Sequence, residues 1–131
     1  MPREFKVIRA RWLRGGAQET TSSYLLNAAG GKCCVGFYLS ACGVPDAKLM
    51  RVLSAERLDR ADLPDEAAWL VEPGLWLDEP DGKPASRRAI DLYKENDSGR
   101  PRGTPSTVAE QRREDRIAAL FAGAGVTVTF E

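Results

Sequence analysis

Two adjacent cysteines, Cys33 and Cys34, follow the turn Gly30-Gly31-Lys32 and open the run "CCVGFYLSACG". A thiol in the first turn of a helix faces free backbone N–H groups and the positive end of the helix dipole, and both favour the thiolate. Lys32 would add to that effect. Cys34 is therefore the candidate nucleophile. Its chemistry needs a base, and the chain contains no histidine. That removes the usual proton acceptor near neutral pH and the commonest metal ligand. The competing reading makes the cysteines small apolar groups on a core face. No catalytic residue is assigned, and the expected class is not an enzyme.

Other chemistry is thinner still. The spacing C-C-x7-C lacks a fourth ligand and the C-x2-C knuckle of zinc sites. Adjacent cysteines form a strained disulfide ring, which argues against redox use. Asp59, Asp62, Asp65, Asp78 and Asp81 could surround a hard cation, but acidic residues in a Pro-rich loop are usually only solvated. "GGKCC" lacks the phosphate-binding frame. We expect no metal and no cofactor.

Charge is balanced overall and uneven along the chain. Residues 1–14 carry a net +4 and residues 56–81 a net −7. Two such blocks either neutralise one another in the fold or present faces to a charged partner. Loops carry binding more often than the elements they join. The acidic residues Asp78, Glu79 and Asp81 and the basic Arg100 and Arg102 of "GRPRG" are therefore the candidate binding residues. Zero net charge and the lack of interleaved aromatics make nucleic acid an unexpected partner.

These groups need elements to hold them. A chain of 131 residues is most simply one domain with a real core, irregular across an acidic segment at about 56–84. No apolar run is long enough to cross a bilayer, no signal peptide is expected, and an odd cysteine count suits a reducing cytoplasm. "EFKVIRARWL" predicts a strand with Ile8, Ala10 and Trp12 inward and Arg9 and Arg11 outward. "SYLLN" predicts a second strand. Cys33–Cys42 predicts a helix stopped at Gly43, and a further helix is expected over Asp46–Leu58. Gly36 inside the first helix implies a closely packed neighbour. "RRAIDLYKEND" fits a strand or a helix. Thr107 to Glu110 fits a capping box, and Ile117, Leu120, Phe121 and Ala124 form one apolar stripe. "VTVTFE" alternates as a half-buried strand. The expected fold is α+β: a small antiparallel sheet of the N-terminal, "SYLLN" and C-terminal strands, with two to three helices packed on one face.

Two resemblances add to this reading. Cys34-Val35-Gly36-Phe37 resembles the nucleophile helix of the NlpC/P60 cysteine peptidases, which implies Cys34 as nucleophile; those enzymes need a histidine that this chain lacks. More broadly, "RWLRG", "SYLLN", "GKCCVGFYLSACGV", "END" and "RREDRIAALFAGAGVTVTF" occur in that order. This layout resembles a family of small, mostly uncharacterised proteins of tailed bacteriophages and prophages. The resemblance implies a phage accessory protein in the bacterial cytoplasm that binds a host protein, for instance to blunt a defence system. The alternative is a cysteine hydrolase, or an inactive relative of one, centred on Cys34. Neither partner identity nor oligomeric state follows from the sequence.

Overall fold

In the segment Glu4–Val7, Phe5 and Val7 are buried and Glu4 and Lys6 exposed, and this half-buried stretch is strand β1. The computed structural model describes residues 4–14, 25–27, 29–52, 54–71, 86–97 and 106–131. β1 pairs with β2 (Thr127–Phe130), and the two run parallel, with Phe5 opposite Val128 and Val7 opposite Phe130. The expected antiparallel sheet is therefore wrong. Alternating apolar residues fix which face of a strand is buried but not its direction, and a parallel pair needs a long crossover between its strands. Here the helices of the chain lie between β1 and β2. The ladder continues past β2, where Arg9 N–H donates to the Glu131 carbonyl at 2.7 Å.

β1 also buries the opposite parity from the one expected. The chain turns through one 3-10 turn at Arg9–Arg11, so Phe5 and Val7 precede the turn and Trp12 follows it on the inside. Ala10, expected inside, is exposed. Trp12 then makes a separate parallel bridge to Lys32.

Helix α1 (Cys34–Ala41) and helix α4 (Ser106–Ala122) lie on the same face of the strand pair. Phe5 meets Tyr38 of α1 at a ring-centroid distance of 5.4 Å and Phe121 of α4 at 4.8 Å. Trp69, from the 3-10 stretch Asp65–Leu70, completes this cluster at 5.6 Å from Tyr38 and 5.7 Å from Phe121. Such tilted and edge-on pairs contribute about 0.5–1.5 kcal/mol each beyond the area they bury. Both helices end in Schellman turns. At α4 the Val126 N–H donates to the Phe121 carbonyl at 3.0 Å and Gly125 to Ala122 at 2.9 Å, with Gly125 at φ +80°. That conformation favours glycine, and the reversal aims β2 back along α4. Gly43 closes α1 with the same bonding.

Among the described residues, the "SYLLN" segment does not join the sheet. Of it, Leu25–Asn27 lie within the described residues, and Leu26 bridges Met50 instead. This pairing also cuts short the helix expected to Leu58. Helix α2 is one turn, Asp46–Leu49, because Arg51 turns to φ 59° and donates its N–H to Leu26 at 2.8 Å. A non-local pairing has overridden local helix propensity. The undecided segment "RRAIDLYKEND" is helix α3 (Arg87–Asp97), burying Ala89, Leu92 and Asn96. Ser86 starts it, its hydroxyl accepting from Ala89 N–H at 3.0 Å, as an N-cap should. Thr107 lies inside α4, not ahead of it, and Glu110 turns to Arg14 and Arg113, so the capping box is not made.

Gly36 faces the backbone of Leu25, and a Cβ there would overlap the Leu25 carbonyl. Exposed in a helix, glycine to alanine gains up to about 1 kcal/mol. Here Gly36→Ala is expected to cost about 1–3 kcal/mol through overpacking. The urea midpoint should fall at constant m-value; a midpoint that rises would mean Leu25 moves aside freely.

Candidate functional site

The start of α1 holds the candidate nucleophile Cys34, and its geometry is closed. Cys33 is the N-cap, its sulfur accepting from Gly36 N–H at 3.4 Å. Cys34 N–H donates to Asn96 Oδ1 at 3.1 Å. Phe37 N–H returns to the Cys33 carbonyl. The Lys32 ammonium rests over the Phe37 ring, 5.7 Å from its centroid, and 3.8 Å from Asp46. Cys34 is wholly buried. Burial pushes the Cys33 thiol from an ordinary value of 9.0 up to about 12 and the Cys34 thiol well above 9.0. Desolvation of the charged form thus outweighs the backbone N–H groups, which act in the opposite sense. Cys42, half-buried beside Tyr38, is raised to about 11, again chiefly by burial. In this arrangement the three side chains are thiols, and attack by Cys34 would require the first turn of α1 to open.

Asn96 is the residue that sequence reasoning undervalued. Its Oδ1 accepts from the Trp12 indole N–H at 2.7 Å as well as from Cys34 N–H. Its Nδ2 donates to the Leu13 carbonyl and to Asp97 Oδ1, both at 2.9 Å. One buried amide thereby joins the segment after β1, the start of α1 and the end of α3. The available signal was an amide at the buried position of the stripe Ala89, Leu92, Asn96. Trp12 also packs on Phe130 at 5.1 Å and carries the Arg14 guanidinium 4.4 Å from its ring centroid.

Two of the N-terminal arginines, Arg9 and Arg14, are neutralised by α4. Arg9 forms a two-pronged bond to Glu114 at 2.8 and 2.7 Å, and Arg14 meets Glu110 at 2.9 Å. These pairs tie residues 9–14 to α4 across the top of β1. The Tyr38 hydroxyl accepts from the Trp69 indole at 3.0 Å and donates to the Glu66 carbonyl at 2.8 Å. That links the start of the acidic segment to the core. The binding residues Asp78, Glu79, Asp81, Arg100 and Arg102 lie outside the described residues.

A surface feature was not legible beforehand. Between α3 and α4 runs an open groove of about 450 Å³, lined by Asp91, Lys94, Glu95, Arg116, Ala119 and Leu120. Ala119 and Leu120 form its apolar floor. Arg116 bridges it to Glu95 at 3.4 Å, and Asp91 is held by Arg87 at 3.3 Å.

Among the described residues, no helix is long and apolar enough to cross a membrane. Compared with protein-family models, curated proteins and solved structures, the chain matches none.

Removing the Asn96 side chain would strand the Trp12 and Cys34 donors and the Leu13 carbonyl, at about 1–3 kcal/mol for each buried group. Asn96→Ala is therefore expected to cost about 3 kcal/mol or more. Asn96→Asp should be least stable relative to the parent at neutral pH and recover in acid, because only the protonated acid can donate to Leu13. Chemical denaturation at two pH values separates these outcomes; a pH-independent loss would refute the donor role.

The thiols make a second prediction. Their folded pKa values lie above the unfolded value of 9.0. Their contribution to stability is then complete below about pH 9 and is lost as pH rises toward the folded values. Cys33→Ala with Cys34→Ala should flatten that alkaline loss, and native alkylation should mark Cys42 before Cys34. Rapid modification of Cys34 near neutral pH would contradict the closed geometry.

Proposed function

We propose that this is a non-enzymatic accessory protein of a phage or prophage that acts in the bacterial cytoplasm by binding a host protein. Inhibition of a defence system is the role that fits the layout it resembles. The observation that carries the reading is the closed start of α1. The candidate nucleophile is a buried thiol, and the N–H that would help to activate it is held by Asn96. With that chemistry enclosed, what the chain offers a partner is surface. Asp78, Glu79, Asp81, Arg100 and Arg102 remain the residues proposed from the sequence to meet that partner.

The test is capture from host lysate on the immobilised protein, with each bound protein identified and its affinity then measured after purification. A stoichiometric host partner is expected for the parent and for Cys34→Ala alike. Neutralising Asp78, Glu79 and Asp81 together should lower its affinity and flatten its salt dependence. Loss of binding on Cys34→Ala in a folded protein would instead favour chemistry at the thiol.

A further inference from the structure

The lining of the groove between α3 and α4 balances two cations with two carboxylates, and the residues beside it add further cation. Asp91 is engaged by Arg87 and Glu95 by Arg116. Lys94 on one wall and Arg112, one turn before Arg116 on the other, are exposed and have no carboxylate partner among the described residues. The Arg88 guanidinium lies over Gly123 at the end of α4, adding positive charge there. Residues four apart on a helix share a face, so Arg112 and Arg116 form one basic edge. Between these edges the floor is small and apolar, Ala119 with Leu120.

From this we infer that the α3–α4 groove docks an acidic amphipathic helix of a partner protein. A third helix laid along two packed ones can set apolar anchors on Ala119 and Leu120, the groove mode of helix recognition. Its acidic residues then fall against Lys94 and Arg112. The small side chain of Ala119 permits close approach, and the walls turn away a basic segment. This inference rests on the protein-binding reading and gives that partner a chemistry.

The probe is a fluorescent synthetic peptide of roughly 15 residues, long enough for a marginal helix, with leucine at every third or fourth position and glutamate elsewhere. Anisotropy titration of the full chain should show saturable binding that weakens with salt. Lys94→Glu with Arg112→Glu should weaken it at least about tenfold, since each exposed charge is reversed against the acidic probe. Ala119→Glu should do the same by filling the floor. All three side chains are exposed, so thermal unfolding should be unchanged. Equal binding to these variants overturns the proposal. So does equal binding of a peptide of the same composition without the leucine stripe, or of a single-stranded oligonucleotide of equal charge. If the groove variants still capture the host protein at parent affinity, the groove is not the docking face, although the protein-binding reading stands. Groove-dependent peptide binding with no host protein captured supports the groove and counts against the host-binding reading.

Discussion

The packing of this protein turns on one buried amide. Asn96 has two donor hydrogens and a carbonyl with two acceptor sites, and all four are used by Trp12, Cys34, Leu13 and Asp97. Its partners leave one orientation. Turned over, the amide would place its NH2 against two N–H donors and its oxygen against a carbonyl and a carboxylate. Three segments that are distant in sequence must therefore meet in one register, or several buried polar groups lose their partners together.

The aromatic cluster supplies a different kind of constraint. Phe5, Tyr38, Trp69 and Phe121 bring the strand pair, α1, α4 and the acidic segment into one core. Contact between such rings is only weakly directional, and cores tolerate rearrangement when total volume is kept. Burial of these rings explains why the chain collapses, whereas the satisfied polar network explains why α3 sits where it does. The Arg9–Glu114 and Arg14–Glu110 pairs add a third link across the same seam. Arg9 is about half exposed, so its pair contributes little to stability beyond orientation.

What was legible in the sequence was whatever depends on neighbours a few residues away. The Gly43 stop, the stripe Ile117, Leu120, Phe121 and the alternation of Val126, Val128 and Phe130 all appear in the structure. What was not legible depends on partners far along the chain. The direction of β2 follows from the Gly125 turn and the return of α4 to β1, neither of which leaves a mark in the alternation itself. The parity of β1 was misjudged because Arg9–Arg11 tightens into a 3-10 turn. α2 stops early because Arg51 bonds to Leu26. At the candidate site, the helix start and the choice between an activated and a packed Cys34 were readable, and its complete burial decides for packing. The groove was invisible because two helices must pack before it exists.

The closed start of α1 also shows why position alone does not make a nucleophile. Free N–H groups at a helix start can stabilise a negative charge or neutral acceptors placed there. At Cys34 the acceptor is the neutral oxygen of Asn96, and the space around the sulfur is protein. The Val35 and Cys34 N–H groups do favour a thiolate there, and burial of the sulfur outweighs them. The close packing that encloses Cys34 is thus what keeps it a thiol. The chain holds no histidine, so no imidazole stands beside this buried thiol to take its proton.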